Sequence, residues 1–123
     1  ALSPDYIEIH LRLAELSPRQ ARPAEALEGF RKAVTEAFRY SSHWQALEGL
    51  AGLAEAHASA GADELAVTLM SLVDTHPASD YATRQRAARL LAEAGARLSP
   101  ERRSAAEARG RTLALDASLL DLA

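Results

Sequence analysis

The chain has 123 residues, 48% hydrophobic and 25% charged, with 14 basic groups against 17 acidic and no cysteine. One domain with a real core fits that length, while disulfide frameworks and thiolate metal sites are excluded. No apolar run approaches the ~20 residues of a membrane span and no signal-peptide pattern is present, so a cytoplasmic location is expected.

Ala and Leu dominate, and Ile and Val together occur only five times. That balance favours helix, because β-branched side chains lose rotamer freedom in a helical turn. Ser3 with Pro4 fits an N-cap and first-turn proline, opening a helix to about Leu16. Pro18 and Pro23 break the pattern, and Pro23 suits the first turn of a helix reaching about Tyr40. Its apolar positions Ala26, Leu27, Phe30, Ala33, Val34, Ala37 and Phe38 follow the spacing of a buried stripe. Ser42 and Gln45 form a capping-box signature for a helix to Ala60, and Gly61 fits its left-handed C-terminal cap. Asp63 is expected to cap a helix through about Thr75, stopped by His76 and Pro77. Ser79 or Asp80 starts the next, to about Leu98, and Ser99 with Pro100 repeats the cap-then-proline device for a helix ending near Gly110. A short terminal turn over 116–122 carries Leu119, Leu120 and Leu122. No segment alternates with period two, so no strand is expected.

Leu-Ala-Glu occurs at 13–15, 53–55 and 91–93, and forty residues separate Ala26 from Ala66, Phe30 from Met70 and Ala33 from Val73. Matching size classes at that interval describe one helical hairpin used again, because such a period marks stacked helix pairs. Hairpins over 3–40, 42–75 and 80–110, followed by the terminal helix, make a single all-α domain over 1–123. Trp44 is expected to seal a hairpin as a buried anchor.

The segment 42–77 resembles a degenerate tetratricopeptide repeat. Leu50, Leu53 and Ala54 stand at its first-helix packing positions, and His57 at a position usually aromatic. Gly61 matches the turn glycine, Ala66, Met70 and Val73 the second-helix contacts, and Pro77 the closing proline. The first hairpin resembles the repeat through Leu13, Ala14, Ala26, Phe30 and Ala33, and the third through Leu91 and Ala92. The resemblance implies a right-handed α-α superhelix, although the spacing of about 40 exceeds the family's ~34 and the tryptophan is displaced to Trp44. It looks like the variant repeats that end large bacterial regulators, the signal-transduction ATPases of the STAND class and related transcriptional activators. With Ala1 in place of a methionine, the chain reads as a C-terminal piece of such a protein.

No catalytic constellation emerges. His10, His43, His57 and His76 are scattered, without metal-ligand spacing. Gly49 and Gly52 lie inside a helix rather than after a strand, so they are no phosphate loop. Each weakens helix by ~1 kcal/mol relative to alanine, which close helix contact would offset. Asp63 and Glu64 sit at a helix start, where the macrodipole favours negative charge. The chain reads as a non-enzyme with no cofactor and no metal.

Helical solenoids line a concave wall with the first helix of each pair, suited to a peptide or partner helix. The resemblance implies groove positions Glu48, Ala51, Glu55 and Ser59, joined by Arg86, Arg89 and Glu93 from the next unit. The expected role is a protein-interaction or regulatory scaffold, its partner another protein, a peptide or other domains of the same chain. Homo-oligomerisation is the alternative, through apolar end faces or the terminal leucines. Residues 80–111 hold eight basic and four acidic side chains. A nucleic-acid interface through Arg84, Arg86, Arg89, Arg97, Arg102, Arg103, Arg109 and Arg111 is the least favoured reading, since charge runs are usually solvated helix faces.

Overall fold

The computed structural model describes residues 23–122, which form six helices and no strand. They are α1 (Pro23–Arg39), α2 (His43–Ser59), α3 (Asp63–Thr75), α4 (Tyr81–Gly95), α5 (Pro100–Thr112) and the single-turn α6 (Leu119–Leu122). The helix expected over 3–16, with His10 and the first Leu-Ala-Glu, lies outside the described residues. No described helix is long and apolar enough to cross a membrane.

Helix ends follow backbone geometry closely. After α1 and α2 the chain reverses through a left-handed residue, Ser41 at φ +54° and Gly61 at φ +89°. In each turn the following amide reaches back over five residues: Ser42 donates to the Ala37 carbonyl and Ala62 to the His57 carbonyl, both at 2.8 Å. This double reversal satisfies carbonyls that a helix end otherwise leaves open. Gly61 is the left-handed cap read from the sequence. Ser41 adopts the same conformation with a side chain attached.

The N-caps divide by ψ. Asp80 at ψ 173° and Ser99 at ψ 155° are extended, and their side chains accept from the Thr83 and Arg102 amides. Ser42 at ψ 86° and Ala62 at ψ 63° are not, and neither caps its helix. The expected capping box is therefore not formed. The Ser42 hydroxyl instead donates to Gln45 Oε1 at 2.7 Å, because the tight turn behind it aims the side chain away from the first-turn amides. Asp63 is the first residue of α3 rather than its cap, and its carboxylate is engaged elsewhere. α4 ends at Gly95, short of Leu98, in a tight turn where the Arg97 and Leu98 amides donate to Ala94 and Gly95 carbonyls at 3.1 Å.

Packing joins α1 to α2, α2 to α3, and α3 to both α4 and α5, with a lesser contact between α2 and α4. The forty-residue pairs fall in the core as expected: Ala26, Phe30, Ala33, Ala66, Met70 and Val73 are all fully buried. Gly52 is a contact glycine, since a Cβ there would lie 2.2 Å from Phe30 Cε1. The ring lies flat on the α2 backbone. Gly110 plays the same part between α5 and α3, where a Cβ would meet the Thr68 carbonyl oxygen at 2.2 Å. The helix continues through Gly110 to Thr112 rather than ending at it.

Two expectations are corrected. The buried face of α4 is Thr83, Ala87, Leu90 and Ala94, whereas Ala92 and Glu93 are exposed. The third Leu-Ala-Glu is thus one residue out of step, and Leu90 takes the inner position. Trp44 is 49% exposed and seals nothing. On a helix it falls in line with Glu48, Glu55 and Ser59, the polar stripe of α2, and not with Leu47, Leu50 and Ala54.

Candidate partner-binding groove

The polar stripes of α2 and α4 border one groove. A cavity of about 450 Å³ opens between them, lined by Glu55, Ala58, Ser59, Gly61, Asp63, Arg89, Leu90, Glu93 and Arg97. Four of the seven anticipated residues, Glu55, Ser59, Arg89 and Glu93, are brought together here. Arg86 stands at the edge, its Nε and Nη2 donating to Glu55 Oε2 at 3.0 and 2.8 Å and tying α4 to α2. Glu48 is half-buried outside the cavity. Ala51 is 1% exposed and cannot meet a partner: it lies on the stripe, but its small side chain is covered by packing.

Sequence reasoning missed Asp63 and Arg97 as wall residues. Arg97 donates from Nε to Asp63 Oδ1 at 2.9 Å across the turn that joins α2 to α3. That hydrogen bond, together with Asp63 and Glu93 charge, holds Arg97 protonated more firmly than an ordinary guanidinium. No local pattern signals the pair, because Asp63 and Arg97 are 34 residues apart and meet only through the tertiary fold.

On the other side of the same turn lies a second hollow of about 530 Å³, bounded by Ala62, Glu64, Leu65, Thr68, Arg102, Arg109 and Leu122 as well as the Asp63–Arg97 pair. Glu64 and Arg102 form an ion pair across it.

The Arg-rich stretch is largely engaged within the fold. Arg86, Arg97, Arg102, Arg103 and Arg111 each pair with a carboxylate, and Arg84 donates to the His76 carbonyl at 3.0 Å. Arg89 and Arg109 have no ion pair among the described residues. Arg89 projects from the exposed side of α4 into the groove between Glu55 and Glu93.

His43 and His76 are placed apart from the groove. The His43 and His76 rings meet edge to face, 6.3 Å between centroids, where α2 begins and α3 ends. His76 Nδ1 accepts from the Ala78 amide at 3.0 Å, which requires that nitrogen to be unprotonated. Burial, then the neighbouring His43 and the Arg84 guanidinium, hold His76 below the ordinary imidazole range. Among the described residues no group of three or more His, Asp or Glu side chains is placed to hold a metal ion. No protein-family model matches the chain, and neither a curated protein nor a solved structure shows similarity to it.

Proposed function

We propose that this chain is a protein-interaction module of the tetratricopeptide-like kind, its helix pairs following one another in a right-handed superhelix, and that the α2–α4 groove receives a partner. The observation that carries the reading is Arg89. It is a solvent-facing guanidinium in a cavity where Glu55, Asp63 and Arg97 are paired within the fold, and neither it nor Glu93, one helical turn away, has an ion pair among the described residues. A cation left over in that setting offers directional, charge-assisted contact to an incoming polar chain. In this reading the partner is another protein or another domain of the same polypeptide, and the module serves a larger regulator as its sensing or autoinhibitory arm. The engagement of most arginines in internal pairs argues against a nucleic-acid interface, which draws on many unpaired cations at once.

Arg89→Glu tests the reading because it leaves every described ion pair intact. The wild type and the variant are compared in affinity capture from cells that make the protein naturally. A partner retained by the wild type and lost, by about tenfold or more, from the variant supports the groove. Unchanged capture of every partner refutes it. The second reading, self-association, is favoured by Trp44 and Tyr81, which are 49% and 76% exposed at the starts of α2 and α4. Light scattering decides it: a monomer at high concentration excludes a stable homodimer.

A further inference from the structure

The turn that hangs α4 from α3 is gathered on one residue. His76 precedes Pro77, which bars it from the helical region and leaves it extended at ψ 132°. Pro77 has no amide to donate, so the first free N–H beyond the break belongs to Ala78. That amide is taken by the His76 ring itself, at Nδ1, 3.0 Å away. The His76 carbonyl accepts twice, from the Ser79 amide at 3.2 Å and from Arg84 Nη2 of α4 at 3.0 Å. Ser79, buried beneath the turn, donates its hydroxyl to the Val73 carbonyl at 2.6 Å.

An imidazole nitrogen accepts a hydrogen bond only while it carries no proton. A proton on Nδ1 would set one donor against another, and the Ala78 amide would lose its partner. The surroundings add to that cost. Among the described residues the charges that bear on the ring are His43 of α2, which meets it edge to face, and Arg84 of α4. The nearest carboxylates in sequence give no relief. Asp80 is taken up by the Thr83 amide, and Asp74 lines a hollow with Arg103 and Arg111 on the α5 side. A proton at His76 is thus opposed from α2, from α4 and from within the turn.

We propose that residues 76–80 form an acid-released joint, closed while His76 Nδ1 accepts from Ala78 and opened, with the helices still in place, when that nitrogen is protonated. Opening frees the first turn of α4 from the end of α3, while Ala87, Leu90 and Ala94 keep the rest of α4 on the core. The closed form prevails above the ordinary imidazole value of 6.5 and gives way as pH falls through it toward the lowered folded value. α4 carries Arg89, so the joint adjusts one wall of the α2–α4 groove, and it works whether or not that groove receives a partner.

NMR on the full chain tests it. Nitrogen spectra of the histidine rings should show His76 Nδ1 unprotonated at neutral pH. Amide protection at Ala78 and Ser79, normalised to the intrinsic exchange rate, should fall about threefold or more between about pH 7 and 5. Low concentrations of urea should not promote that exchange, whereas the buried Leu50 and Leu69 should exchange with the urea dependence of global unfolding. His76→Asn, whose side-chain oxygen still accepts from Ala78, should abolish the fall. His43→Gln, at an exposed position, removes one opposing imidazole and should move the midpoint to higher pH. The wild-type titration carries the test alone if a variant unfolds. Protection independent of pH, an undiminished fall in His76→Asn, an unmoved midpoint in His43→Gln, or a urea dependence at Ala78 equal to that of the core would each overturn the proposal.

Discussion

The contact between Phe30 and Gly52 makes a prediction whose sign depends on context. Gly52→Ala adds one methyl group to α2, and in an open helix that change stabilises by ~1 kcal/mol. Here the added Cβ would lie 2.2 to 2.4 Å from three carbons of the Phe30 ring, whereas unstrained carbons sit roughly 3.5–4.0 Å apart. The ring must move by more than about 1 Å, and at 1% exposure it has no open side to move into. Overpacking of this kind costs ~3 kcal/mol at its upper end, so Gly52→Ala should destabilise the chain by about 2 kcal/mol after the helix gain is subtracted. Phe30→Ala alone should cost ~3–5 kcal/mol through the cavity it leaves. In that background the methyl group added at position 52 enters vacated space, and the same Gly52→Ala change should stabilise by ~1 kcal/mol. Urea denaturation of the two single variants and the double variant measures the coupling, expected near ~3 kcal/mol. Additive effects, or a stabilising Gly52→Ala in the wild type, would refute the stacking of Phe30 on the α2 backbone.

Ser41→Gly should raise stability by ~0.5–1 kcal/mol in urea melts, because the residue sits at φ +54° where glycine has no steric penalty; a loss would mean that the turn is not left-handed. Glu55→Gln should cost only ~0.5–1 kcal/mol, since its carboxylate is 40% exposed and solvent screens the Arg86 pair; a loss above about 2 kcal/mol would show a desolvated pair. His76 is held below its ordinary value of 6.5, so below that pH the unfolded chain binds a proton that the fold resists. Stability should therefore be full above the ordinary value and decline as pH falls through it toward the lowered folded value. His76→Asn, which keeps an acceptor for the Ala78 amide, should flatten that decline, and urea midpoints measured between about pH 7 and 5 check it.

What could be read from the sequence depended on whether the signal was local. Pro100 after Ser99, Asp80 before Tyr81 and the lone Gly61 mark helix ends through backbone constraints that act within a few residues. The stripe from Ala26 to Phe38 likewise declares its inner face. α5 offered no such stripe, because its buried positions are Ala106 and Gly110, and close packing through small residues leaves no apolar pattern. That α5 leans on α3, and meets α4 chiefly where the Arg103 side chain lies over Gly95, was therefore hidden. The Leu90-Leu91 pair made the register of α4 ambiguous by one residue, and only burial resolves it. In the groove, residue types and faces were legible for Glu55, Ser59, Arg89 and Glu93. The Glu55–Arg86 and Asp63–Arg97 pairs were not, since each joins residues more than thirty positions apart in the chain.

In this arrangement of helices α3 receives both α4 and α5, with Gly110 seated against the α3 backbone. Proton NMR on the unmodified chain tests it most directly. Strong nuclear Overhauser effects are expected from one Gly110 Hα to the Ser71 β-protons, because a Cβ on Gly110 would stand 2.7 Å from Ser71 Cβ. Overhauser contacts from Gly110 to the buried side of α4, at Ala87 or Leu90, with none to Ser71, would contradict it.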